Sequence, residues 1–145
     1  MKIRNALVAL VLASVLSVAA AQAPALVVKN AWARQAPGTD VASVYLNLSN
    51  AGTKPLIVIG VESSLANHSM VHETAVVSGQ SQMRMRDKVV IAPGQTVSFI
   101  PGGLHIMLSG LKRDFVVGEK VPLILLLADG GTLAVAAVAK PLGAQ

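Results

Sequence analysis

The chain has 145 residues, of which 53% are hydrophobic, with a formal net charge of +5 and no cysteine. The absence of cysteine excludes disulfide bonds and blue-copper centres that need a thiolate ligand, so hydrophobic packing has to stabilise the fold. The basic residues are scattered along the chain. This excludes the clustered basic surface that is typical of nucleic-acid-binding domains.

The first 21 residues have the pattern of a secretory signal peptide. Lys2 and Arg4 provide a positive start, an apolar run follows, and the small residues 19–21 provide a cleavage site. The apolar run is shorter than the roughly 20 residues that a membrane-spanning helix needs. We therefore expect export to the periplasm, no cysteine-linked lipid, and one domain in residues 22–145. Removal of Lys2 and Arg4 with the signal peptide lowers the formal net charge of the chain from +5 to +3.

Short apolar segments that partly alternate with polar residues, separated by Gly, Pro, Asn and Asp, organise the rest of the chain. Strands at this spacing, without a convincing amphipathic helix, predict a single all-β domain, either a β-sandwich or a barrel. One helical turn is expected over residues 111–113. The predicted strands are 26–34, 42–48, 56–61, 68–77, 82–91 with a break near Asp87, 96–100, 105–108, 120–127 and 132–139.

His105 and Met107 carry the most obvious chemistry. They follow the turn-forming run Pro101-Gly102-Gly103, and as strand residues two apart they leave the same face of a sheet. A thioether is a soft ligand that selects Cu(I), so a His and Met cluster without Cys favours copper over zinc or iron. Taken singly, however, a methionine more often fills a core and a histidine more often lies at the surface.

Other histidines and methionines leave the composition of a metal site open. His68, Met70 and His72 alternate along one predicted strand and would leave the same face of it. Met83 and Met85 likewise would leave one face of the next predicted strand. Spacing alone does not decide which of these side chains meet His105 and Met107. His68 and Met70 are candidates for an auxiliary site.

The four residues His72, Met83, His105 and Met107 are separated by ten, twenty-one and one residues. This spacing resembles the His-x10-Met-x21-His-x-Met signature of the periplasmic copper chaperones of the PCu(A)C family. Three further segments resemble the same family, namely Asn30-Ala31-Trp32-Ala33-Arg34, Val44-Tyr45-Leu46 followed by Leu48-Ser49-Asn50, and Pro101-Gly102-Gly103-Leu104-His105-Ile106-Met107-Leu108.

The resemblance implies a cupredoxin-like Greek-key β-sandwich that binds Cu(I) through His72, Met83, His105 and Met107. These ligands carry no negative charge, so they favour the monovalent over the divalent ion. The implied function is delivery of copper for assembly of the binuclear copper centre of cytochrome c oxidase, with an oxidase subunit or another assembly factor as partner. We expect a monomer without enzymatic activity, since no catalytic constellation is evident.

Two alternative functions remain at the level of sequence. A periplasmic copper buffer would bind the same ion and protect against high copper without a delivery partner. The other alternative is an enzyme or an interaction module on the same fold. No Ser/His/Asp spacing, phosphate-binding glycine loop or carboxylate pair supports an enzyme. An interaction module would need no metal and should survive the loss of Met83 and Met107. The chain end, residues 140–145, lacks His and Met, so a second copper site is not expected there.

Overall fold

A computed structural model describes residues 25–144, and the predicted signal peptide lies outside this range. Within the described range no helix has the length and apolarity needed to cross a membrane. Ten strands form the domain: β1 (Leu26–Gln35), β2 (Val41–Asn50), β3 (Leu56–Glu62), β4 (Ala66–Val77), β5 (Gln80–Met85), β6 (Val89–Ile91), β7 (Thr96–Phe99), β8 (Leu104–Leu111), β9 (Lys120–Leu127) and β10 (Thr132–Ala139).

The strand predictions are confirmed with small differences in their bounds. The segment 82–91 is two strands, because the backbone N–H of Arg86 makes a last hydrogen bond to the Val71 carbonyl, and the chain then leaves β4 to pair β6 with β3. The predicted helical turn at 111–113 is wrong. Leu111 ends β8, and the N–H of Lys112 donates to the Leu65 carbonyl, so the backbone donors are used by neighbouring segments.

The strands follow the hydrogen-bonded order β5-β4-β8-β2-β1-β10-β9-β3-β6, with β7 pairing the second half of β2. All pairs are antiparallel except β1 with β10. The sheet curls, so that β3 near one end of this order contacts β4 near the other end. The predicted all-β, cupredoxin-like sandwich of one domain is confirmed.

Strict alternation decides which side chains enter the core. In β9, Val121, Leu123 and Leu125 are at most 1% exposed, whereas Ile124 between them is 42% exposed. The apolar run is therefore buried on one face only. Fully burying a Leu, Ile or Val side chain stabilises a fold by about 1.5–3 kcal/mol, and such residues replace the disulfide bonds that this chain lacks.

The same alternation places the chemistry on the outside of the sandwich. Val71 in β4 and Ile106 and Leu108 in β8 point into the core. The residues next to them in each strand must then leave the opposite face of the sheet. His72, His105 and Met107 therefore lie on the outer face of β4 and β8.

Candidate metal centre

The turn before β8 positions His105. The N–H of Ile100 donates to the Leu104 carbonyl over 2.8 Å, and Gly102 adopts a φ of 80°, which a residue with a Cβ rarely adopts. The chain thus reverses and enters β8 directly. His105 is only 6% exposed although it lies on the outer face, and the rings of His72 and Tyr45 from the two neighbouring strands flank it.

Strand β4 places His72 opposite His105. The two residues are direct partners in the antiparallel β4–β8 ladder, and their rings meet edge to face with centroids 5.9 Å apart. Directly opposite residues on one face of a sheet have Cβ atoms about 4.5–5.5 Å apart, which is close enough to share an ion. The sequence could not predict this pairing, since 32 positions separate the two histidines.

A two-residue hairpin turn positions Met83. Ser78 and Gly79 both have positive φ, at 51° and 76°, as a type I′ turn requires. This turn sets the β4–β5 register, in which Met83 pairs with Thr74 and lies diagonally beside His72. The His72 Nδ1 and Met83 Sδ atoms are 3.0 Å apart. With metal–nitrogen and metal–sulfur bonds of about 2.0 and 2.3 Å, as in zinc sites, two donors at this separation can bind one ion.

Hydrogen bonding and burial prepare the two imidazoles as ligands. The His105 Nδ1 lies 3.1 Å from the Gly103 carbonyl oxygen, and a hydrogen bond donated there leaves the Nε2 lone pair for a metal. Burial, and secondly the neighbouring His105, lower the pKa of His72 below its ordinary value of 6.5. His72 therefore stays neutral at neutral pH, as a metal ligand must.

The structure brings all four predicted residues to one face of three neighbouring strands. Met107 follows His105 by two positions in β8 and is half-buried. Within residues 25–144 no three His, Cys, Asp or Glu side chains form a metal-binding group. A metal at this place would therefore be held by two imidazoles and by thioethers, which is a donor set that suits a soft monovalent ion.

Comparison with known proteins identifies the family. A family model described as "Putative lipoprotein LpqE-like" matches residues 26–139. The chain belongs to the LpqE-like family. This is a family of the PCuAC type, so the resemblance seen in the sequence is confirmed.

One curated relative of this LpqE-like chain is the "Putative lipoprotein Lxx21020" of Leifsonia xyli subsp. xyli (strain CTCB07). It is 35% identical over 120 residues, which cover 82% of this chain and 72% of the relative. Both lipoprotein descriptions support export. These 145 residues contain no cysteine, and the periplasm and the cleaved signal peptide remain predictions.

Solved structures with the same fold include copper-bound proteins. The solution structure of CuI-DR1885 from Deinococcus radiodurans is 32% identical, with a TM-score of 0.67, and the match covers 83% of this chain and 81% of that one. The copper-bound PCuAC domain from PmoF2 also has a TM-score of 0.67 at 21% identity, and covers 83% and 96% of the two chains. Both descriptions name a copper-bound protein.

Sequence reasoning did not assign a role to Tyr45, which the LpqE-like structure places against the site. Tyr45 is 4% exposed, and its ring lies 6.5 Å from His105 and 4.5 Å from Trp32. The Arg34 guanidinium lies 5.6 Å from the centre of the Tyr45 ring, and Lys140 lies 4.6 Å from that of Trp32. This aromatic row supports His105 from the side opposite His72. The pattern of β2 shows Tyr45 facing away from Val44 and Leu46, but only the β2–β8 pairing brings it to His105.

The remaining candidates lie around the same face. Met85 pairs directly with His72, Met70 pairs with Met107, and His68 pairs with Ser109 further along β4. Met83 and Met85 are 56% and 62% exposed, whereas Met70 is half-buried. The structure thus separates the exposed thioethers of Met83 and Met85 from the buried His105 and the half-buried Met70 and Met107.

Proposed function

We propose that this protein is a copper chaperone that holds one Cu(I) between His72, Met83, His105 and Met107. The observation that carries the proposal is the 3.0 Å contact of His72 Nδ1 with Met83 Sδ, next to His105 across the strand pair. The copper-bound relatives of the same fold support it. Neutral imidazoles and thioethers leave the ion's charge uncompensated, and this favours the singly charged cuprous ion.

The burial of the ligands supports transfer of the ion rather than permanent retention. His105 is 6% exposed, while Met83, on an edge strand, is 56% exposed. An incoming thiolate from a receiving protein can replace the exposed thioether first, while His105 still holds the ion. Exchange of one ligand at a time avoids the cost of releasing a free ion.

The proposed recipient is a copper-receiving partner outside the cytoplasm, most specifically a subunit or assembly factor of the binuclear copper centre of cytochrome c oxidase. Deletion of the gene should then reduce oxidase activity at low copper, and added copper should restore it. Sensitivity to high copper with normal oxidase activity would instead indicate the copper buffer. Replacement of Met83 and Met107 should reproduce the deletion in either case.

The first experiment is anaerobic titration with Cu(I) against a chromophoric competitor. Wild type should bind one tight equivalent, and the double variant Met83→Leu with Met107→Leu should bind it about 100-fold or more weakly, since the loss of supporting residues alone costs 10–100-fold. Leucine conserves volume, so packing is largely retained. Val76→Ala is the matched control, because Val76 lies on the same hairpin, is 75% exposed and offers no donor.

Equal and weak binding by wild type and the double variant would contradict the proposal. Equal and tight binding would place the site elsewhere on the chain. In both cases circular dichroism must show that the variants are folded, so that a loss of binding reports ligation rather than unfolding.

A further inference from the structure

Methionine is concentrated on the outer face that carries the proposed copper site. The chain has five methionines, and four of them lie on β4, β5 and β8 with their side chains on this face, namely Met70, Met83, Met85 and Met107. Two of these four, Met70 and Met85, are not needed for the proposed copper ligands. Their placement calls for a separate explanation.

Core packing does not explain Met85. Its side chain is 62% exposed on an edge strand, so it excludes little water from the sandwich. Exposed edge strands usually carry charged residues, and the two neighbours of Met85 in the sequence, Arg84 and Arg86, are charged. A large, oxidisable thioether at such a position contributes little to stability. Its chemistry, rather than its volume, is the feature to account for.

The register brings Met85 and Met70 to the same cleft. Met85 pairs with His72, and Met70 precedes His72 by two positions on β4, so the two methionines are diagonal neighbours across the β4–β5 ladder. Diagonal neighbours lie about 7–8 Å apart, within reach of long side chains. Both line a cleft of about 140 Å³ whose other wall is formed by residues 58–60 of β3.

The lining of this cleft suits a soft cation. Asp87 also lines it and provides a negative charge, which the four proposed copper ligands lack. The guanidinium of Arg86, another lining residue, is engaged in an ion pair with Glu73. Two thioethers with a carboxylate at hand match a singly charged, soft ion better than zinc or magnesium.

We propose that Met70 and Met85 form a second, weaker binding site for Cu(I), and for Ag(I) as its redox-inert analogue. The inference deepens the proposed function, on which its role in copper handling rests. The site is weaker than the first because it offers two thioethers and no imidazole. Its position beside His72, at an exposed edge strand, gives the ion a place to bind as it enters or leaves the site formed by the four proposed copper ligands.

The test uses protein labelled with ¹³C at the methionine methyl groups and titrated with Ag(I), and then anaerobically with Cu(I). Methyl signals of Met83 and Met107 should shift during the first equivalent. Signals of Met70 and Met85, which neighbour the first site, should shift further during a second, weaker equivalent, with an affinity at least about tenfold lower. A titration that saturates after one equivalent, with no further shift of Met70 and Met85, would overturn the second site and leave the proposed function intact.

Variants assign the second equivalent to its ligands. The double variant Met70→Leu with Met85→Leu should lose the second equivalent and retain the first, since leucine keeps the volume and removes sulfur. His68→Ala is the matched control and should retain both, because His68 lies two positions from Met70 on the same face but does not line the cleft. Loss of the second equivalent in His68→Ala, or its persistence in the double variant, would contradict the assignment. Shifts of Met70 and Met85 without any shift of Met83 and Met107 would support this pair and refute the proposed function.

Discussion

Asn50 offers a direct test of how polar groups stabilise a domain without disulfide bonds. It ends β2 and is 1% exposed. Its Nδ2 donates to the carbonyls of Lys54 and Ile91 over 2.8 and 2.9 Å, and its Oδ1 accepts the N–H of Gly52 over 2.9 Å. One side chain thus joins the end of β2 to the loop before β3 and to the end of β6.

The expected cost of Asn50→Ala follows from these three bonds. A hydrogen bond contributes about 1 kcal/mol net, and a buried partner that is left unsatisfied costs about 1–3 kcal/mol. The bond to the Ile91 carbonyl is buried, so the substitution leaves that oxygen without its partner. We expect a loss of about 3 kcal/mol in the free energy of unfolding, and a melting temperature lower by about 12 °C at about 4 °C per kcal/mol for a domain of this size.

The assay is urea unfolding followed by the fluorescence of Trp32, the only tryptophan of the chain. Ser49→Ala is the matched control, because Ser49 is the neighbouring residue and its hydroxyl lies 2.7 Å from that of Thr96 at an exposed position. The control should change the free energy of unfolding by about 0.5 kcal/mol or less. If the free energy of unfolding of Asn50→Ala also stayed within about 0.5 kcal/mol of that of wild type, at unchanged m-value, the stabilisation estimated from these three hydrogen bonds would be refuted.

Two other predictions follow from the site and its strands. Burial and His105 lower the pKa of His72 below 6.5, so stability of the metal-free protein should be fully present above pH 6.5 and decline as the pH falls through 6.5 toward the lowered pKa. His72→Gln should reduce this pH dependence of the urea midpoint, and an unchanged dependence would contradict the assignment. Gly110 in β8 has a φ of 64°, and a Cβ there would lie 2.8 Å from Asn67 Nδ2, so Gly110→Ala should destabilise the fold by about 1–2 kcal/mol. Equal thermal stability of Gly110→Ala and wild type would show that β8 relaxes without cost.

Local signals predicted most of the strands. Period-two alternation and turn residues are properties of short segments, and the predicted bounds of β9 and β10 agree with the structure. The segment 82–91 was harder, since nothing in its own residues shows that β5 pairs with β4 while β6 pairs with β3. The predicted helical turn at 111–113 failed for the same reason. Its backbone donors bond to Asp40 and Leu65, which are distant in sequence.

Some features of the candidate site could likewise be predicted from local sequence, and others depend on the tertiary structure. The parity of His105 and Met107 and the softness of thioether sulfur are evident from the residues alone, and the spacing of the four residues points to the PCuAC type. The pairing of His72 with His105, the place of Tyr45, and the cleft shared by Met70 and Met85 depend on the order and register of the strands. The sequence by itself thus determined most of the strands, the faces of those strands and a set of donor residues that favours copper, because these follow from local periodicity and ligand chemistry. Only the tertiary structure decided which faces meet, because strand pairing joins residues far apart in the chain.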